Sequence, residues 1–137
     1  MIRNFALILG LSSIAVVPLA AHHSFAAEYD GTKPITINGT VTKIEWTNPH
    51  ARIYIDAKDD KGTVINWNIE LGGPLQLNRL GWKRDSVKAG DAVKIEGYLA
   101  KDGSKMANAR NIVFADGRKA FAGSSGDGAP KIGRAHA

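Results

Sequence analysis

The sequence predicts an all-β domain carrying a single short helix, and three observations predict it. Apolar and polar residues alternate in short runs, the period of a half-buried strand. Gly, Pro, Asn and Asp clusters of the kind that build tight turns separate those runs. One stretch breaks the strand pattern: Pro74 suits the first turn of a helix whose short apolar set is Leu75, Leu77 and Leu80, before Gly81 ends it.

Regular alternation begins at Pro34. Ile35, Ile37, Gly39 and Val41 share one parity, whereas Ile44 and Trp46 share the other. An extra residue near Thr42 or Lys43, a β-bulge, produces such a switch of face, so one long bent strand is expected here. Thr47-Asn48-Pro49-His50 reads as a turn, because Asn and Pro favour turns and Pro cannot donate to a central ladder. Ala51, Ile53, Ile55 and Ala57 then alternate with Arg52, Tyr54 and Asp56, and Asp59-Asp60-Lys61-Gly62 closes a hairpin. Ile65, Trp67, Ile69 and Leu71 point inward on the third strand, with Asn66, Asn68 and Glu70 outward.

Gly72-Gly73-Pro74 breaks the strand pattern and starts the helix, which Gly81 ends, leaving Trp82 just beyond the cap. A turn at Lys88-Ala89-Gly90-Asp91 precedes a fourth strand with Val93, Ile95 and Leu99 on one face. Lys101-Asp102-Gly103-Ser104 turns the chain into a fifth strand, Met106 to Phe114, and Arg118 to Phe121 follows Asp116-Gly117 as a short edge strand. Three strands, a helix and two more strands is the order of an OB-like barrel, a small Greek-key barrel of five to six strands with its helix between strands three and four. A plain β-sandwich is the competing all-β arrangement, but the chain is short for it and the helix sits where the barrel needs one.

Ahead of this domain, Arg3, an apolar run from Phe5 to Ala21 and then His22-His23 have the layout of a secretory signal peptide. Ser12, Ser13 and Pro18 interrupt the run, which falls short of the roughly 18 apolar residues of a membrane span. The chain therefore divides into a signal peptide (1–21), a polar leader (22–33), the barrel domain (34–121) and a tail (122–137) rich in Gly, Ser and Ala. Too few large apolar groups occur in that tail to offset its ordering entropy, so disorder is expected there. Cleavage after Ala21 makes His22 the first mature residue; cleavage after Ala20 is the less favourable alternative, because it puts Pro18 at the third position back. Export implies the periplasm or secretion, with no transmembrane segment left after cleavage.

Removing residues 1–21 leaves 116 of the 137 residues and lowers the formal net charge from +5 to +4 through loss of Arg3. That length makes one domain. Cysteine is absent, so stability must come from packing. The basic residues are scattered over turns and form no run, which reads as a solvated surface. Together with export, that scatter argues against a nucleic-acid partner.

The string His22-His23-Ser24-Phe25, with Gly39-Thr40-Val41-Thr42, Glu45-Trp46-Thr47-Asn48-Pro49-His50, Asn66-Trp67, Gly81-Trp82 and Gly97-Tyr98, resembles a family of small exported bacterial proteins of unknown function. The resemblance runs from His22 to about Ser125, and it implies export and an all-β fold. It implies no reaction, so it transfers no catalytic residue.

The residues themselves offer three chemistries. If His22 is the mature first residue, its α-amine and ring nitrogen can chelate one metal ion, and an imidazole from His50 or His23 would complete a histidine-brace-like set. Amine and imidazole nitrogens suit copper or nickel and, in another geometry, zinc. The amine has a reference pKa of about 7.7–8.0, so binding displaces a proton and weakens as pH falls. If Ala21 stays, an Ala21-His22-His23 start can bind copper or nickel in a square plane without help from the fold. Solvated histidines at a flexible start are the plainer alternative.

The second chemistry is ligand binding without catalysis. An OB-like barrel presents one face and its loops to extended ligands, and Trp46, Asn48, His50 and Trp82 sit where those loops should gather. Trp67, in register with Ile65 and Ile69, belongs to the core; Trp82 could equally plug the barrel end. The third is acid–base catalysis by Glu45, Glu70 and His50, which requires side chains from three segments to converge. No serine lies in a nucleophile elbow and no glycine-rich phosphate loop precedes a helix. The sequence therefore favours an exported, noncatalytic binding module for a small ligand or a periplasmic protein, with copper at the mature amino terminus as a candidate cofactor; a metal chaperone or metal-dependent redox protein is the alternative.

Overall fold

The computed structural model describes residues 24–132. They form α1 (Phe25–Glu28), β1 (Tyr29–Glu45), β2 (Arg52–Lys58), β3 (Val64–Glu70), α2 (Pro74–Arg79), β4 (Ala92–Ala100), β5 (Met106–Phe114) and β6 (Lys119–Phe121). The strands lie in the order β3-β2-β1-β4-β5-β6, and β3 pairs in addition with β5. This last ladder is parallel, Asn68 to Glu70 against Met106 to Asn108, and it closes β1 to β5 into a barrel. With α2 between β3 and β4, the connectivity is the OB-like one that the alternation and turns predict.

Two bulges shape the barrel. Val41 pairs with Ile55 but Lys43 pairs with Tyr54, so Thr42 is the extra residue behind the parity switch seen in the sequence. The bend lets one strand serve two partners: β1 pairs with β4 from Pro34 to Thr40 and with β2 from Thr40 to Glu45. On β5, Glu96 faces Asn111 whereas Gly97 faces Ala109, which leaves Arg110 as the extra residue. A Cβ on Gly97 would lie 2.1 Å from the Asn108 carbonyl oxygen, so this close pairing requires glycine.

Inward residues of all five barrel strands form the main core, with Ile53, Ile55, Ile69, Leu71, Ile95 and Ile112 almost fully buried. The helix contributes only Leu77. Leu75 on the helix and Leu80 at its cap are exposed, so the three leucines do not form the apolar set expected of them. The helix has only six residues, and one inward side chain anchors it.

Both flanking segments depart from expectation. Residues 24–33 are not merely a polar leader, since β1 begins at Tyr29 and Phe25 is buried ahead of it. Phe25 stacks on Tyr29 and meets Tyr98 edge-on, with ring centroids 5.8 and 5.4 Å apart. These rings, with Ala100, make a second cluster that Met106, Ala129 and Ile132 cover. The expected disordered tail is likewise packed over its described part: Ala122 and Ser124 are buried, and Asp127 pairs with Arg110 at 2.7 Å. Remote partners hold this segment, and its own composition does not reveal them.

The edge strand is tied by charge. Glu96 accepts from Lys119 at 2.7 Å and from Asn111 at 3.3 Å. The Lys119 bond first, helped by its charge, holds the Glu96 carboxyl below the usual carboxylate range. A carboxyl depressed in the folded state stabilises the fold fully above its unfolded pKa of about 4.3, and that contribution is lost as pH falls through the lower folded value. Lys119 is half exposed, so Glu96→Gln should cost no more than about 1 kcal/mol at pH 7. Urea unfolding at neutral pH and near pH 2 checks this: the gap between variant and parent should close in acid.

Candidate functional site

A cleft of about 520 Å³ opens where three chain segments meet beside the start of α1. The β1–β2 loop supplies Asn48, Pro49 and His50; the start of α2 supplies Gly73, Leu75 and Gln76; the segment after β6 supplies Ser124 to Asp127; and Ser24 sits at the edge. Backbone bonds fasten these pieces together. Ala51 N–H donates to the Gly72 carbonyl at 3.0 Å, Leu71 N–H to Ala51 at 2.8 Å, and Gly72 N–H to Ala122 at 2.8 Å. The Gly72-Gly73 pair permits this convergence, because a Cβ would lie 2.5 Å from the Gly123 oxygen at the first position and 2.8 Å from the Pro49 oxygen at the second. The Asn48–Pro49 peptide within the loop is cis.

His50 is oriented by its Nδ1, which lies 3.2 Å from the Leu71 carbonyl and 3.5 Å from Ser124 Oγ. A carbonyl can only accept, so the proton belongs on Nδ1 and Nε2 is left with the free lone pair. In that tautomer Nδ1 cannot take a proton from Ser124, and the Ser124–His50 contact is no nucleophile–base pair.

The carboxylates singled out in the sequence are committed elsewhere. Glu70 is buried and accepts from Tyr29 at 3.1 Å, Arg52 at 3.0 Å and Asn108 at 3.3 Å. Glu45 is held by Lys43 at 2.7 Å and by the Tyr54 hydroxyl at 3.3 Å. The Lys43 bond, followed by its charge, keeps the Glu45 carboxyl below its ordinary range. Burial, and then the negative charge of Glu70, pushes the Tyr29 phenol well above its ordinary range. Glu45 faces Arg52 across β1–β2 and Arg52 faces Glu70 across β2–β3, so these residues form a row across three strands, in which Arg52 pairs with Glu70 and Lys43 with Glu45. Neither carboxylate bonds to His50, and the Glu45, Glu70 and His50 catalytic set is not assembled.

The four residues expected to bind a ligand separate. Asn48 and His50 line the cleft. Trp46 is half-buried against the main core. Trp82 is buried, donates from Nε1 to the Phe121 carbonyl at 3.0 Å and packs on Phe114 at 5.7 Å. It holds β6 to the region after α2. His22 and His23, the other two residues of the expected metal set, lie outside the described residues, as does residues 1–21 of the expected signal peptide. Among the described residues no group of three His, Cys, Asp or Glu side chains is placed to hold a metal ion, and no helix is long and apolar enough to cross a membrane. Sequence reasoning missed the Ser124–Asp127 wall, whose only local signal is Asp127 in an otherwise small-residue stretch.

Residues 10–109 match the model of a family of unknown function (DUF6152). The chain belongs to this family. The DUF6152 match takes in the His50 loop and all of β1 to β4, while the Ser124–Asp127 wall lies beyond it. No curated protein matches this member in sequence. Among solved structures it is similar to crystal structures of a mitochondrial single-stranded DNA binding protein from S. cerevisiae, Rim1. One matches at 18% identity and a TM-score of 0.47, covering 61% of this chain and 93% of that chain. A selenomethionine-labelled crystal of the same protein matches at 21% identity and 0.46, with the same coverage. The barrel assignment rests on the strand order and the β3–β5 closure.

Proposed function

We propose that this DUF6152 protein is an exported, noncatalytic binding module that takes its ligand in the cleft around His50. In this reading residues 1–21 are removed, and copper is held by the His22 amine and ring with an imidazole of His50 or His23. One observation carries it: Ser24, the residue bonded to His23, lines the same cleft as His50. Successive Cα atoms are about 3.8 Å apart, so chain connectivity keeps His22 within two residues of the cleft edge. The orientation of His50 supports the reading, because a ring whose Nδ1–H donates to a backbone carbonyl presents Nε2 in the tautomer that metal-ligating histidines use. The basic n-region and interrupted apolar run at the start support export.

The test uses protein recovered from its own export route, its first residue read by mass, and Cu(II) titrated with electron paramagnetic resonance detection. His50→Ala should weaken binding by tenfold or more, equivalent to about 1.4 kcal/mol or more, and an extra leading Met should weaken it at least as much. Equal affinity in the Met-extended protein rules out the brace. Unchanged affinity on His50→Ala in a protein beginning at Ala21 would instead show a fold-independent Ala21-His22-His23 site.

A further inference from the structure

We infer that Arg110 is a positioning residue for this cleft, fixing the Ser124–Asp127 wall and the start of α1 relative to His50. The inference rests on the cleft being the ligand site. Arg110 is the extra residue of the β5 bulge, a device that re-aims a side chain away from the regular alternation of its strand. Its guanidinium is buried and donates to Asp127 Oδ2 at 2.7 Å, to the Ser124 carbonyl at 3.1 Å and to Asn108 Oδ1 at 3.2 Å. The two ends of the four-residue wall therefore hang on one planar group, whose fork of donors has a fixed geometry. The guanidinium carbon also lies 5.1 Å from the centroid of the Phe121 ring, a cation–π contact.

Asp127 carries the constraint one step further. Its main-chain carbonyl accepts the Phe25 N–H at 3.2 Å, so the residue clamped by Arg110 also fixes the first turn of α1 and with it Ser24. The facing wall is held through the Ala51–Gly72 and Leu71–Ala51 bonds and the His50 contact with Leu71, and it meets the first wall where Gly72 N–H donates to the Ala122 carbonyl and where Ser124 Oγ approaches His50. These direct contacts end at Ser124, so from there to Asp127 and the Phe25 N–H it is the Arg110 side chain that ties the entry of the amino-terminal segment to the wall facing His50. Close approach is possible because residue 123 is glycine, where a Cβ would lie 2.9 Å from the guanidinium and 2.7 Å from the Ala109 oxygen.

Arg110→Lys tests this in the processed full-length protein. Lysine keeps the charge beside Asp127 but lacks the fork, so it can hold one end of the wall and not both. Amide exchange at Phe25 and at Ser125 to Asp127 should accelerate at least tenfold while the β-strand amides keep their protection. Cu(II) affinity should fall tenfold or more, with changed resonance parameters and an unchanged far-ultraviolet spectrum. If Arg110→Lys leaves copper affinity and spectrum as in the parent while His50→Ala weakens binding, the positioning role is overturned and the cleft reading stands. If His50→Ala also has no effect, copper is held without the cleft, by His22 with His23, the cleft reading falls, and the exchange data decide for Arg110 alone: unaltered exchange at Phe25 and the wall overturns the role, accelerated exchange supports it. Should Arg110→Lys fail to fold, Asp127→Asn, which keeps an acceptor but removes the charge, is read by the same measurements and the same outcomes.

Discussion

Glu70→Ala is expected to lower stability by about 3 kcal/mol or more, the range found when one partner of a buried ion pair is removed. Glu70 is the acceptor on which three donors converge: the Tyr29 hydroxyl, the Arg52 guanidinium and the Asn108 amide. Truncation leaves all three without that acceptor at the place where β2, β3 and β5 meet. Arg52 retains about a quarter of its side-chain exposure, so water recovers part of its loss and the lower end of the range applies. Tyr29→Phe removes a single bond and should cost about 1 kcal/mol. Equilibrium urea unfolding separates the two, through a large midpoint shift for Glu70→Ala and a small one for Tyr29→Phe at unchanged slope. Equal costs would mean that Glu70 is not the hub of the cluster.

Trp82→Ala is expected to cost about 3–5 kcal/mol, the range for deleting a large aromatic from a core. The loss combines the cavity beside Phe114 with the unmade bond to the Phe121 carbonyl, and the latter frees the short edge strand β6. Cu(II) affinity at temperatures where the variant stays folded should equal that of the parent, since Trp82 does not line the His50 cleft. A stable variant with weakened copper binding would restore Trp82 to the ligand-binding set.

Much of the barrel was legible because each element is specified locally. The parity switch between Val41 and Ile44 marks the Thr42 bulge, since an inserted residue has to invert the faces that follow it. Gly72-Gly73-Pro74 reads correctly as a break and a helix start, although what the glycines accommodate is two remote carbonyls, which no local pattern can announce. In the fourth strand, Tyr98 and Ala100 look like outward residues, and they are; they are nonetheless buried, because α1 and the segment near Ala129 cover them from outside the barrel. Turn chemistry and residue type single out Asn48 and His50, and the structure brings both to the cleft. The opposite wall escaped because it depends on Arg110 and Asp127, whose pairing spans seventeen positions and joins a strand to a stretch of small residues. Trp82 was ambiguous for a related reason: an indole beyond a helix cap looks the same in sequence whether it plugs a barrel or meets a ligand.

The closure of the barrel also has a kinetic side. The β3–β5 ladder joins segments separated by an entire helix and strand, β1 finds half its partners beyond residue 90, and Phe25 bonds to Asp127 across almost the whole described chain. Little of this architecture can form from neighbours in sequence, so the loop-closure entropy of distant contacts must be met before their enthalpy is gained. Folding should therefore be slow for a domain of this size, on the millisecond-to-second scale of barrels rich in non-local pairing. Residues 25–29 and the segment after β6 pack on side chains of β4 and β5, Tyr98, Ala100 and Arg110, so their docking should follow the pairing of those strands, and the cleft should be completed with it.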